Sequence, residues 1–425
     1  MRIVMFEDAD FGRLYPLTYL RPVFELRCGA YSLRRKLQAK FPDSVLHLEM
    51  RDALSRVAPE ICPDCLLNHQ DRLKPDDDIL LVNGGAILTA PAQKYAERET
   101  VATAPTGEFV WAYLKRETVK KLSAVSARSL ASLAARNLPS QNAQDLLIRF
   151  PWDLITQNAS QIKSDFREFY RPQAEVKLDP RVAVWGEPTN LCVGKGAEIQ
   201  PWTFIDCREG PVIIESGAIV RAHSSIQGPA FIGEKSYLHE ACIREGTSIG
   251  PVCRVGGEVE ESIIHGYSNK YHTGFLGHSY VCEWVNLGAN TVNSDLKNDY
   301  TSVSVYLDGQ PTDTGSTKVG AFIGDHTKTS IGTLLNTGAV VGIMCNLIAG
   351  ASVLPKYIPS FCWYLEGRIS KGLGLGAALD TARAAMARRG VELTDAMTEL
   401  IKYTEELTRP DKMEKVKRDR KRAFR

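Results

Sequence analysis

No stretch of the 425 residues carries ~18 consecutive apolar side chains, so the sequence predicts no membrane-spanning helix. The opening MRIVMFED has no apolar core of a leader and reads directly as a strand, which predicts no signal peptide. Charge of one sign is also missing: the formal net charge is +2, which argues against bulk electrostatic binding of nucleic acid. The exception is the basic end KMEKVKRDRKRAFR (412–425), expected to be a frayed, solvated tail. A second C-x-x-C is absent. Cys62-Pro-Asp-Cys65 stands alone, and a lone pair of this kind is weak evidence for zinc or redox chemistry. The other cysteines, among them Cys192, Cys207, Cys242, Cys253 and Cys282, fall at apolar strand positions, where Cys behaves as a small hydrophobe. Without a secretion signal, reduced thiols and a cytoplasmic protein are expected.

What is present divides the chain, and its length calls for more than one core. Residues 1–170 alternate strand and helix signals. Arg2–Phe6 and Asp78–Asn83 are apolar runs, the second closed by Gly84-Gly85, and Ser44–Leu48 is a short strand candidate. Tyr31–Phe41 reads as helix. So does Thr118–Asn137, with Leu122, Val125, Leu130 and Leu133 on one face. Such alternation predicts an α/β domain with a mostly parallel sheet. Phe150–Phe169 reads as a connector.

From about Val182 the pattern changes. Apolar residues recur every six positions: Val193, Ile199, Ile205; Ile213, Ile219; Ile226, Ile232, Leu238; Ile243, Ile249, Val255; and later Leu335, Val341, Leu347, Val353. A period of six is neither helix nor simple strand alternation. It fits a solenoid in which each hexapeptide forms one flat side of a triangular coil, with small residues or glycine at the corners. Residues 171–360 are therefore expected to be an all-β, left-handed parallel β-helix. Thr291–Val319 breaks the period and is expected as an ejected loop. Residues 361–425 return to helix, and Ala377–Arg389 and Thr394–Thr408 are expected to cap one end of the coil.

Three passages carry a resemblance: FGRLYPLTYLRPVFELRCG (11–29), GYSNKYHTGFLGHSYVCEWVNLGANTVNSDLKN (266–298) and FIGDHTKTSIGTLLNTGAVVG (322–342). Together they resemble the bacterial family similar to the bifunctional N-acetylglucosamine-1-phosphate uridylyltransferase/glucosamine-1-phosphate acetyltransferase. The resemblance implies a shortened nucleotide-diphospho-sugar transferase-like domain fused to a β-helix acyltransferase. It implies acetyl-CoA as co-substrate, a sugar phosphate and a nucleoside triphosphate as partners, Mg²⁺ for nucleotidyl transfer, and a homotrimer.

On that resemblance His272, in His-Thr-Gly-Phe-Leu-Gly, is the general base. Amine attack on a thioester calls for a group that titrates near neutrality, and histidine is the natural one. Asn269, Lys270, Asn286, Asn293 and Lys297 are expected at the sugar phosphate. Thr333, Ala349 and Arg368 fall at CoA-contacting positions. Two departures concern the acceptor: Glu260 or a neighbour stands near a family lysine, and Phe275 stands for a tyrosine. His278 and His326 compete with His272, whereas His223, His239 and His265 read as coil residues. In the first domain Gly12, Arg13, Arg21 and Arg27 match the phosphate-binding loop. Acidic Glu7, Asp8 and Asp10 intrude there. Asn83 stands where the family's metal aspartate ends a central strand, with Asp153 as a replacement. Two other readings remain open at this point. One is a non-catalytic sugar-nucleotide-binding scaffold. The other is a zinc β-helix hydratase like the γ-class carbonic anhydrases, with His239, His272 and His278 as ligands.

Overall fold

The computed structural model describes residues 1–170, 178–307, 309–350, 352–365 and 367–423, the side chains of 70 and 421–423 excepted. The start of the expected 171–360 domain, at 171–177, and the last two residues of the basic end lie outside the described residues. The chain forms two compact units. The first comprises Met1–Leu14, Leu20–Leu26 and Tyr31–Phe150, and the second Tyr15–Tyr19, Arg27–Ala30 and Pro151–Arg425.

The first unit is built on a sheet of seven strands among the described residues. Its order is Ser140–Asn142, Thr100–Thr103, Phe109–Leu114, Ile79–Asn83, Arg2–Phe6, Leu46–Glu49, Leu66–Leu67. Arg2–Phe6 is fully paired in parallel on both sides and almost wholly buried, which explains its unbroken apolar run. The sheet is mostly parallel, as expected; Phe109–Leu114 alone runs antiparallel to both of its neighbours. The expected long helix Thr118–Asn137 is two helices, Arg116–Leu122 and Ala127–Asn137. Ser123 turns left-handed (φ 45°) and Ser126 caps the second helix by accepting from the Ser129 amide, so serine chemistry overrides the apolar period. Val125, expected on the buried face, sits in this break and is 88% exposed.

The second unit contains the coil. One face stacks nine parallel strands, from Leu191–Val193 to Tyr357–Ile358. A second face begins with Glu198–Ile199 and Ile219–Val220 and continues through Asn269–Lys270 and the Asn286 bridge to Lys328–Thr329. A third runs from Ala183–Trp185 to Leu334–Leu335. Ile205, Ile226, Val255, Ile323 and Leu347 fill the interior at 0% exposure, so the six-residue period marks most of the inward rows; it slips at Ile213 and Ile219, where Val212, Ile214 and Val220 take the inward places. Close stacking of coils fixes some glycines: a Cβ on Gly250 would lie 1.9 Å from the His265 carbonyl oxygen.

The corners differ from expectation. Lys235, Val252, Tyr267, Trp284, His326, Met344 and Phe361 all hold positive φ, where small residues or glycine were expected. The left-handed conformation costs an L-residue about 1–2 kcal/mol, which the surrounding coil over-determines. Tyr267 stacks on Trp284 at 4.5 Å and Trp284 on His326 at 6.2 Å, so these corners form an aromatic ladder. The period also slips late: Leu354 is 1% exposed, while Val353, expected inside, is 54% exposed. The ejected segment is shorter than 291–319. Val292–Asn293 still pairs with Leu334–Leu335, and the excursion carries the hairpin Ser304–Leu307/Gln310–Asp313.

Helix Pro151–Phe169, expected as a connector, packs on the coil, where Asn158 Nδ2 donates to the Gly246 carbonyl at 2.7 Å. Beyond the coil lie two helices, Leu375–Ala387 and Asp395–Ala423. The second contains most of the basic end expected to fray. Its Val416 is 1% exposed within the coil's core beside Cys362, Tyr364 and Ile369, and Lys412 pairs with Glu405 at 2.7 Å. The described basic residues thus ride on a docked helix whose apolar side closes the last coil.

Candidate functional site

The sequence turns the corner between the second and third faces at Tyr271–Gly274, between strands Asn269–Lys270 and Phe275–Gly277. This places His272 exposed on a cleft of about 690 Å³. Asn269, Asn286, Tyr271, Arg254, Arg388 and Arg389 share its lining. Asn269 and Asn286 face each other across adjacent coils, with Asn269 Nδ2 donating to Asn286 Oδ1 at 3.1 Å. His272 meets Tyr271 edge-on at 5.2 Å, and Tyr271 stacks flat on His239 at 4.9 Å. A histidine on an open corner, flanked by amides and cations, can take a proton from a bound amine.

Lys270, expected at the sugar phosphate, points into the coil instead and is 3% exposed. It pairs in register with Val255, so it occupies an inward row. Its Nζ donates to the carbonyls of Gly256 (2.8 Å) and His272 (3.1 Å), tying down the corner that carries the histidine. Burial pushes its pKa down to about 8, with Glu258 pulling the other way. Asn293 is likewise internal: its amide brackets Gly277, accepting from the Gly277 N–H at 2.8 Å and donating to the carbonyl at 2.9 Å. Lys297 lies on the excursion, with Nζ donating to Thr301 and to the Ser302 carbonyl. None of these three lines the cleft.

Thr333 is buried, with its hydroxyl donating to the Ser330 carbonyl at 2.9 Å, and the Ala349 amide donates to Ser330 Oγ at 3.2 Å. The two therefore share one corner, next to Ile331, which lines the cleft and is 75% exposed. Arg368 is exposed on the hairpin strand Arg368–Ser370, outside that lining.

The competing histidines are buried. His326 is 5% exposed in the aromatic ladder. His278 lies between Asp295 (2.8 Å from Nδ1) and Glu261 (3.3 Å from Nε2). Burial disfavours its cation, yet hydrogen bonds and attraction from the two carboxylates outweigh that and raise its pKa to about 9. A folded-state pKa above the ordinary 6.5 means the contribution to stability is complete below about pH 6.5 and is lost as pH rises through about 9. The stability gap between the native protein and His278→Gln should therefore close on going from about pH 6.5 to above pH 9. Paired urea melts measure this. The difference cancels Lys270 and Lys328, which burial shifts down and which make the opposite contribution. A gap that is constant or widens with pH would show that the ion network does not act this way.

In the first unit, strand Arg2–Phe6 delivers Glu7, Asp8 and the turn Ala9–Leu14 to a small pocket that also takes Asn83, Gly84 and Glu108. Of the expected phosphate binders, Arg13 lines it, ion-paired to Asp10 at 3.3 Å. Gly12 sits in the same turn. Arg21 is buried and outside the lining, and its carbonyl accepts from Arg51 at 3.2 Å. Arg27 belongs to the second unit, over the Phe231 ring at 5.4 Å. Arg149, which was not anticipated, joins the lining and pairs with Glu108 at 3.0 Å.

The fit to Mg²⁺ is poor at the expected residues. The Asn83 amide is fixed with Oδ1 accepting from Gly85 N–H (2.8 Å) and Nδ2 donating to Asp8 (2.9 Å) and to the Phe109 carbonyl (3.1 Å). It thus turns N–H groups, not a free oxygen, toward the carboxylate. Asp153 lies in the first turn of Pro151–Phe169 in the second unit. Among the described residues no group of three or more His, Cys, Asp or Glu side chains is placed to hold a metal ion, and His239, His272 and His278 are not gathered. Cys62 donates to Glu25 at 3.2 Å and Cys65 accepts from Arg34 at 3.6 Å, so the C-x-x-C is part of a buried polar contact. No helix among the described residues is long and apolar enough to cross a membrane.

Residues 3–171 match the family described as sugar nucleotidyl transferase. Among curated proteins the chain is similar to the bifunctional sugar-1-phosphate nucleotidylyltransferase/acetyltransferase of Sulfurisphaera tokodaii. Identity there is 34% over 152 residues, covering 34% of this chain and 37% of that protein. It is also similar to the bifunctional protein GlmU of Heliobacterium modesticaldum, at 28% identity over 200 residues, covering 45% and 38%. The match thus spans little more than a third of the length of these relatives. Among solved structures, the UDP-N-acetylglucosamine acyltransferase of Francisella novicida aligns over 52% of this chain and 88% of its own, at 12% identity and a TM-score of 0.31.

Proposed function

We propose that the β-helix transfers an acetyl group from acetyl-CoA to the amine of an amino-sugar phosphate, with His272 as general base. The observation that carries this reading is the exposed His272 on a polar, cationic cleft. The bound amine attacks the thioester carbon as His272 removes the amine proton. The C–S bond breaks, the CoA sulfur leaves and takes the proton from His272 to become the thiol, and an amide remains. Asn269 and Asn286 are suited to the sugar, and the corner at Thr333 and Ala349 to CoA. Lys270 acts as a positioning residue beneath the loop. As in the coarser likeness to bifunctional relatives, the N-terminal domain would couple a sugar phosphate to a nucleoside triphosphate. Arg13 and Arg149 are its best-placed cations. The fixed Asn83 amide favours a second reading for that domain alone, nucleotide binding without turnover. A homotrimer belongs to the proposal as its assembly.

The test follows two products separately. The protein is incubated with acetyl-CoA, glucosamine-1-phosphate, Mg²⁺ and each nucleoside triphosphate, and free thiol and pyrophosphate are measured. Thiol release that requires the amino sugar is expected. Neither product, with nucleotide still bound, would replace this reading with the scaffold.

A further inference from the structure

The helix Leu375–Ala387 ends beside the His272 cleft and delivers Arg388 and Arg389 to its lining. Arg254 stands on the coil face in register with Asn269. Arg389 Nη2 donates to Asn269 Oδ1 at 2.8 Å, but its Nε is buried with no hydrogen-bond partner. Arg254 spends one nitrogen on the carbonyls of Lys235 and Cys253 (3.1 and 3.0 Å).

Among the described residues, no carboxylate pairs with Arg254, Arg388 or Arg389, and no acidic residue lines the cleft. Other arginines of these terminal helices do find carboxylates: Arg383 reaches Asp380 at 2.9 Å and Arg409 reaches Glu405 at 2.6 Å. The trio even works against itself. Burial, then Arg254 and Arg388, lower the pKa of Arg389. An adjoining recess of about 240 Å³ shares Asn269, Asn286, Arg388 and Arg389, adds Lys328, and again contains no acid. Like charges held together with an unpaired, buried N–H cost free energy, and a bound anion removes that cost.

We propose that Arg388 and Arg389, with Arg254, form the anion subsite of the His272 cleft and that its ligand is a phosphoryl group. This rests on the acetyl-transfer reading, under which the group is the phosphate of the amino-sugar acceptor. The terminal helix thereby completes the acceptor site within one chain. Guanidinium forks match phosphate oxygens in pairs, whereas an ammonium offers a single point charge.

The test uses the full chain carrying Arg388→Gln and Arg389→Gln together. Arg383→Gln is the control, since it removes a cation from the same helix away from the cleft. Binding of glucosamine-1-phosphate, glucosamine and inorganic phosphate is measured by calorimetry. The double variant should bind both phosphate probes roughly tenfold or more weakly, with the control unchanged. Arg389→Lys should fall between. In turnover, the KM for the amino-sugar phosphate should rise while that for acetyl-CoA stays put. The reverse pattern would assign the subsite to the phosphates of CoA and overturn the acceptor assignment. Undiminished binding of every phosphate-bearing probe would overturn the subsite altogether. If the native protein releases no thiol yet binds inorganic phosphate in an arginine-dependent way, the subsite stands and the acetyl-transfer reading falls.

Discussion

Replacing Val416 with aspartate should lower the stability of the second unit by about 3–5 kcal/mol, although in sequence the residue lies in a strongly basic stretch well past the last strand. A parallel coil has no natural end: its inward rows and unpaired edge stay open unless another element covers them. Val416 is 1% exposed among Cys362, Tyr364 and Ile369 at that end. The helix is pinned there from both sides, with Asp419 accepting from the Ile369 amide at 3.0 Å and Asp411 receiving the Tyr357 hydroxyl. A carboxylate at 416 would be buried without a partner. Lys417→Asp, one position along and exposed, makes a larger charge change and should stay within about 0.5 kcal/mol of the native protein. Urea melts of the two variants decide the matter. Equal losses would mean that charge in the helix matters and the apolar plug does not.

The second large effect is catalytic. His272→Ala should reduce the rate of thiol release from acetyl-CoA by about 10²–10⁴-fold, the range for loss of a positioned general base. Stability should be unchanged because the side chain is exposed, and any pyrophosphate release by the N-terminal domain should persist. His326→Ala is the contrast. That ring is buried against Trp284 and belongs to a structural ladder, so its removal should reduce stability more than rate. Thiol release that survives in His272→Ala would remove the histidine from the mechanism.

The coil was legible because its inward rows impose a six-residue period that neither a helix nor a strand alternation produces. Its corners were not, since tertiary stacking lets Tyr267 and Trp284 tolerate a backbone that sequence rules reserve for glycine. Local competition misled the reading at Ser123–Ser126, where a capping box stops a helix that the apolar pattern continues. Within the site, His272, Asn269 and Asn286 could be found from their motif, and they do share a cleft. Lys270 could not be placed. A cation beside a histidine reads as a ligand group, and only the register with Val255 reveals that it points inward. Arg388 and Arg389 left no sequence signal at all. Arg389 meets Asn269 across 120 residues of chain, a contact that no spacing encodes. The basic end is a related case: a helix with cations on most sides still docks through Val416, Asp411 and Asp419.

The most direct test is to determine, by mass spectrometry, what becomes of an amino-sugar phosphate incubated with acetyl-CoA and the native protein. The account predicts an acetyl group on the amine nitrogen, formed only when the protein carries His272. An unmodified sugar, or the same acetylated product from His272→Ala, would contradict it.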